Sequence, residues 1–153
     1  MSGKVLVIIG SESDREAIQG CMSYLDRFGI PNELVVSSAH RAPERTRRLV
    51  EGARKSGVRV IICGAGMAAH LPGVAASLTT LPVIGVPLAG SHLSGVDSLH
   101  AIVQMPPGVP VATMAIGSAG GKNAAIFAAQ ILALSDDDLA AKLRDFKTEL
   151  AAP

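Results

Sequence analysis

The run Lys4-Val-Leu-Val-Ile-Ile9 constrains the fold more than any other feature of this chain. It is continuously apolar and rich in β-branched residues, so neither of its faces suits water. Such a run fits a strand covered on both sides, as in a parallel sheet between two helical layers. Gly10-Ser-Glu-Ser-Asp14 breaks it, Ser13 with Glu16 fits a helix capping box, and Ala17, Ile18, Cys21, Met22, Leu25 and Phe28 follow at helical spacing. Gly29 and Pro31 end that helix. The unit then repeats, with strands expected over Glu33 to Ser37, Val58 to Cys63, Leu81 to Val86 and Val109 to Ile116. Helices are expected from Pro43 to Ser56, Ala68 to Leu78, near Val96 to Ile102, and Asn123 to Leu134. Ser135 is expected to cap a last helix over 135–150 with Leu139, Leu143, Phe146 and Leu150 on one face, packing on an oligomer. Strand–helix alternation without a linker predicts a single catalytic domain over residues 1–153, a three-layer αβα sandwich of the doubly wound parallel class with C-terminal helices.

The charge distribution narrows the partners. The formal net charge is +1, and the basic residues Arg45, Arg47 and Arg48 are interspersed with Glu44 and Glu51, so neither nucleic acid nor an anionic membrane is indicated. No apolar stretch reaches the length of a membrane span, and the first apolar run is too short for a secretion signal. Cys21 and Cys63 have no partner at metal-ligand or redox spacing and read as reduced core thiols, which fits the cytoplasm. Between Arg59 and Lys122 the only charged residue is Asp97. A free surface normally carries more charge, so this stretch predicts burial against further copies of the chain.

In open α/β sheets, ligands bind beyond the carboxyl ends of the strands, at the switch in strand order. Ser11, Ser13 and Asp14 follow strand one; Ser38, His40 and Arg41 follow strand two; Gly64, Ala65 and Gly66, then His70, follow strand three. In a flavodoxin-like strand order these loops share one rim. Ser13 and Asp14 fit either a plain helix cap or a phosphate site at a helix start. Arg41, between a strand end and Pro43, is placed to present its forked donors to a phosphate or carboxylate. His40, at the strand end beside Arg41, is either a structural histidine or an acid/base; His70 is either part of a helix or a ligand-facing group. His92 and His100 read as loop and helix-surface residues.

The segment Gly64-Ala-Gly-Met-Ala-Ala69 has the spacing of a dinucleotide fingerprint. No acidic residue or Arg follows the next strand to hold a ribose or its phosphate, and the glycines follow the third strand rather than the first. The NAD reading is rejected; these glycines let backbone approach a small ligand closely. A phosphoacceptor receiver domain is rejected too, because Cys63-Gly64 stands where it would need Asp.

Gly10-Ser-Glu-Ser-Asp14, Ser38-Ala-His-Arg41 with Pro43, Gly64-Ala-Gly66 with Ala68-Ala-His-Leu-Pro-Gly73, and Asp97-Ser-Leu99 with Ile102-Val-Gln-Met-Pro106 resemble the N5-carboxyaminoimidazole ribonucleotide mutases, the small class I enzymes of purine synthesis. The resemblance runs from strand one to Asn123-Ala-Ala125. The carboxylase branch of that family, which uses aminoimidazole ribonucleotide and carbon dioxide directly, has Lys where this chain has Arg41 and lacks the Ala-Ala-His-Leu-Pro-Gly segment. The chain departs from the family at Met67, usually glycine, at Ala42, often threonine, and at Gly121-Lys122. The resemblance implies a flavodoxin-like sandwich assembled as a homo-octamer with active sites between subunits. It implies that Ser11, Ser13, Asp14 and Arg41 hold the ribose phosphate and that His40 is the acid/base. It further implies that Ser38, Gly64, Ala65, Gly66, His70 and Leu71 form the pocket for the base and the carboxylate. No metal and no redox cofactor is expected. The alternatives are the direct carboxylase and a non-catalytic nucleotide-binding domain. The loop Gln104 to Gly108 fits either a lid or a rigid turn.

Overall fold

A computed structural model describes residues 3–152. Five parallel strands form one sheet in the order β2-β1-β3-β4-β5, which is the flavodoxin-like order. The strands are β1 (Lys4–Ile9), β2 (Asn32–Val36), β3 (Val58–Gly66), β4 (Val83–Leu88) and β5 (Ala112–Thr113). The helices are α1 (Arg15–Phe28), α2 (Pro43–Ala53), α3 (Leu71–Ser77), α4 (Val96–Val103), α5 (Ser118–Ala133) and α6 (Asp137–Ala151).

The central strands read as continuous apolar runs because each alternates between two cores. Val5, Val7, Ile9, Val60, Ile62, Ile84 and Val86 pack with Ile18 and Leu25 of α1, the alanines of α5, and Leu139 and Phe146 of α6. Leu6, Ile8, Ile61, Cys63 and Val83 face the other way, onto Val50 of α2, Leu71 and Ala75 of α3, and Ile102 of α4. This alternation is the three-layer sandwich expected from the sequence. Among the described residues no helix is long and apolar enough to cross a membrane.

The structure corrects several boundaries. A turn of 3-10 helix over Glu12–Asp14 precedes α1, so the capping box is formed by Ser11 and Asp14 rather than by Ser13 and Glu16. Helix α5 begins at Ser118, five residues before the expected Asn123, because its glycines are packing surfaces and not a turn. A Cβ on Gly120 would stand 1.7 Å from the Ala115 carbonyl oxygen, and Gly121 lies against α1 beside Ile18 and Cys21. That close approach buries only one face of α5: Ala124, Ala125, Ala128 and Ala129 are fully buried, whereas Phe127 and Leu134 are exposed. Strand β5 pairs only through Ala112 and Thr113. Pro110 lacks a donor for the ladder, and Gly117, at φ 78° and ψ −150°, turns the chain into α5. Asp136, not Ser135, caps α6, its Oδ1 accepting from the Leu139 N–H at 3.0 Å. The apolar stripe of α6 outlasts the core beneath it, and Leu150 is exposed.

Candidate functional site

The carboxyl ends of β1, β2 and β3 meet around a cavity of about 480 Å³, within the range usual for small-molecule sites. Ser11, Ser13 and Asp14 enter it from the β1–α1 turn, Ser38, His40 and Arg41 from the β2–α2 turn, and Ala65, Gly66 and Leu71 from the end of β3 and the start of α3. The geometry thus gathers nine of the residues singled out from the sequence. Two are placed differently. Gly64 lies within β3, packed towards Ile9, Ile18 and Leu88, and does not line the cavity. His70 is also outside the lining but reaches it through His40. The loop Gln104–Gly108 does not line it either; Met105 lies against Gly73 of α3.

Local chemistry fixes each rim segment. In the β1–α1 turn the Asp14 carboxylate accepts from the Ser11 N–H at 3.1 Å. The Ser11 hydroxyl oxygen accepts from the Ser13 hydroxyl at 3.0 Å. Burial pushes the Asp14 carboxyl above its ordinary range, against the Ser11 hydrogen bond and the neighbouring Arg41, which both pull it down. The β2–α2 turn is anchored from inside: the buried Ser37 and Thr46 hydroxyls are 2.8 Å apart, and Thr46 donates to the Ala42 carbonyl at 3.2 Å. The Arg41 N–H donates to the Ser38 hydroxyl oxygen at 3.2 Å. The Arg41 guanidinium itself makes one long contact, 3.4 Å to the Gly10 carbonyl, and is otherwise exposed with its donors free for a ligand.

His40 and His70 stand side by side. The His40 Nε2 and His70 Nδ1 atoms are 2.9 Å apart, and the rings meet edge to face at 86°. One nitrogen must donate and the other accept, so the two rings hold complementary protonation at these atoms. At the β3 end, Gly66 runs so close to the next strand that a Cβ would meet the Leu88 carbonyl oxygen at 3.2 Å. Neither thiol takes part: burial pushes Cys21 up to about 12 and raises Cys63 as well.

Gly10, Ala39, Met67, Ala68 and Gly90 also line the cavity and were not singled out as site residues. Gly10 and Gly90 follow β1 and β4, so the strand-end rule that found the others could have found them. Met67 gave its signal as a departure from the glycine usual at its position.

Residues 4–152 match the family model described as AIR carboxylase. The chain is 54% identical over 143 residues to an N5-carboxyaminoimidazole ribonucleotide mutase of Bacillus subtilis, covering 94% of this chain and 88% of that protein. It is 50% identical over 146 residues to the protein of the same name from Haemophilus influenzae, covering 95% and 89%. Among solved structures, PurE of Treponema denticola superposes with a TM-score of 0.88 at 26% identity, covering 97% of this chain and 91% of that one.

Proposed function

This chain belongs to the AIR carboxylase family, and we propose that it is the N5-carboxyaminoimidazole ribonucleotide mutase of purine synthesis, an isomerase that moves a carboxyl group from the exocyclic nitrogen to ring carbon 4. Relatives of that name share about half of its residues over nearly its whole length, which favours the mutase over the direct carboxylase. The observation that carries the chemistry is the His40–His70 pair, 2.9 Å apart, beside a cavity that also holds Arg41 and Asp14.

Arg41, with the Ser11 and Ser13 hydroxyls, takes the phosphate, and Asp14 accepts hydrogen bonds from the ribose. Ser38, Ala65, Gly66 and Leu71 enclose the base. His40 gives a proton to the exocyclic nitrogen, the nitrogen–carboxyl bond breaks, and carbon dioxide is released within the cavity. Carbon 4, which is enamine-like, attacks that carbon dioxide. Its own proton then passes to His40, restoring the aromatic ring and the starting state of the histidine. One proton enters and one leaves, so a single acid/base closes the cycle, a task suited to imidazole. His70 holds the His40 ring in place through the nitrogen that faces it. The steps balance without electron transfer, and no cofactor is called for.

The working form is a homo-octamer in the cytoplasm with its sites between subunits. Its support is the stretch between Arg59 and Lys122, which has Asp97 as its only charge. In that stretch Leu93, Val96 and Val103 are 63%, 50% and 49% exposed on the single chain.

The test is turnover of N5-carboxyaminoimidazole ribonucleotide, with a parallel run on aminoimidazole ribonucleotide plus bicarbonate. Efficient conversion of the first, lost by roughly 10²–10⁴ in kcat in His40→Asn, is the expected result. Preference for the second moves the chain to the carboxylase; retained activity in His40→Asn removes the histidine from its role.

A further inference from the structure

The turn that carries Ser38, His40 and Arg41 lacks the usual means of holding a helix start. Ala42 is the N-cap of α2 and has no side chain with which to cap it, and Pro43 at the start of the helix has no N–H to donate. Among the described residues the turn closes on itself through two bonds. The Ala42 N–H donates to the Ser38 carbonyl at 2.9 Å, and the Arg41 N–H donates to the Ser38 hydroxyl oxygen at 3.2 Å. Neither ties the turn to the layers beneath it.

A chain of hydroxyls does so. Thr46 donates to the Ala42 carbonyl at 3.2 Å, and its oxygen is 2.8 Å from that of Ser37. A hydroxyl has one hydrogen, and Thr46 gives its own to the carbonyl, so Ser37 is the donor between the two. Ser37 is fixed to the sheet in turn, its N–H donating to the Ile9 carbonyl at 2.9 Å. The chain of bonds therefore runs from β1 through Ser37 and Thr46 to Ala42, and it joins both ends of the segment 37–42. Ser37 and Thr46 are 2% and 0% exposed. They are buried by the chain itself, and packing of further copies cannot uncover them. An apolar pair of the same shape here would cost the fold little or nothing. It would not supply the directed bond to the Ala42 carbonyl.

We infer that Ser37 and Thr46 are positioning residues, whose hydroxyl chain takes the place of the missing cap and sets where His40 stands relative to His70 and the cavity. The inference rests on the mutase reading. It describes this chain's own means of holding the turn and not a demand of the reaction, which any device that fixes the turn would serve. His40 must meet the exocyclic nitrogen and then carbon 4, so a small displacement of its ring is costly. Among the described residues its one side-chain hydrogen bond is the 2.9 Å contact with His70. A shift of the turn lengthens that contact and moves the ring away from both reacting atoms. Arg41 rides on the same turn, but its long, many-jointed stem lets the guanidinium follow the phosphate. Loss of the hydroxyl chain therefore falls on kcat and spares KM.

The experiment measures kcat, KM and the urea midpoint of the wild type, Thr46→Ser, Thr46→Val and the double variant Ser37→Ala with Thr46→Val, on N5-carboxyaminoimidazole ribonucleotide. Thr46→Ser keeps the hydroxyl and loses a buried methyl, so it should be less stable than the wild type yet keep kcat within about twofold. Thr46→Val keeps the shape but leaves the Ser37 hydroxyl buried without its partner, and should lose both stability and kcat. The double variant removes both hydroxyls, so its urea midpoint should return close to that of the wild type. Its kcat should nevertheless stay down about tenfold or more, with KM little changed. A weakened enzyme that works beside a stable one that does not is the signature of positioning. A double variant whose kcat recovers along with its stability overturns the inference. So does a loss confined to KM, and so does equal kcat in Thr46→Ser and Thr46→Val, a comparison that does not need the double variant to fold. A wild type that leaves the substrate unconverted overturns the mutase reading, and the inference falls with it; that outcome is distinct from the other three.

Discussion

Replacing Arg41 separates phosphate recognition from folding, because the structure gives its guanidinium almost nothing else to do. Among the described residues its one side-chain hydrogen bond is a 3.4 Å approach to the Gly10 carbonyl, and the residue is exposed. Truncation to alanine therefore costs stability no more than about 0.5 kcal/mol, the usual range for surface changes. In the complex the same group faces a phosphate, and a hydrogen bond to a charged partner contributes about 1.5–3 kcal/mol. Arg41→Ala should then weaken binding of 4-carboxy-5-aminoimidazole ribonucleotide about 10- to 150-fold. Isothermal titration with that nucleotide and with its unphosphorylated riboside isolates the contact. The wild type should prefer the nucleotide by this margin, and the preference should largely vanish in Arg41→Ala while riboside affinity stays put. Arg41→Lys keeps the charge without the two-pronged donor geometry and should fall between them. An Arg41→Ala protein that still distinguishes nucleotide from riboside as the wild type does would place the phosphate elsewhere.

Substitutions at two further positions examine the rest of the site. His70→Asn leaves an amide near the position of Nδ1 and should keep most of kcat, whereas His70→Phe removes the 2.9 Å partner of His40 and should lower kcat about 2- to 12-fold with little change in KM; equal loss in both variants would mean that packing, not the hydrogen bond, matters. Burial raises the folded-state pKa of Asp14 above its ordinary 3.8, so the native chain keeps that proton to higher pH than the unfolded chain, and its stability falls as pH rises through the interval between the two values. In ligand-free protein the urea midpoint of the wild type should accordingly drop relative to that of Asp14→Asn from about pH 4 upward, and a difference between the two curves that does not vary with pH would contradict the burial.

The parts of the fold legible in the sequence are those decided by local pattern. Lys4–Ile9 and the apolar segments of β3 and β4 can only be covered strands, and the alternation of strand and helix then fixes the layers and the rim where ligands bind. What escaped the sequence was settled by contacts between distant segments. Gly120 and Gly121 lie ahead of the helix expected from Asn123, yet they are the surface by which α5 reaches Ala115 and α1. The capping box moved from Ser13 to Ser11 because a 3-10 turn intervenes, and local preference does not distinguish the two frames. Strand β5 carries an apolar pattern eight residues long but pairs through two, since Pro110 and Gly117 limit the ladder. His40 and His70 were each visible as candidates, but a hydrogen bond across 30 residues of chain depends on how the β2–α2 and β3–α3 turns are aimed.

The departures from good folding practice cluster at that same rim. The two cores are conventional: apolar side chains interdigitate on both faces of the sheet, and Cys21 and Cys63 are inert within them. At the carboxyl ends of the strands the chain instead half-buries a carboxylate at Asp14, leaves Arg41 with one long contact, sets two imidazoles edge to face in the open, and holds Met67 at a left-handed backbone angle. Each is unfavourable or neutral for the folded chain alone, and the first three become favourable once a phosphorylated ribose and a transferable proton are supplied. Ligand binding should therefore stabilise this protein more through the rim than through the cores. Hydrogen exchange measured with and without 4-carboxy-5-aminoimidazole ribonucleotide should slow first at residues 11–14, 38–41 and 66–70. Protection confined to the sheet interior, with those three turns unchanged, would mean that the strains at the rim belong to the fold and not to the reaction.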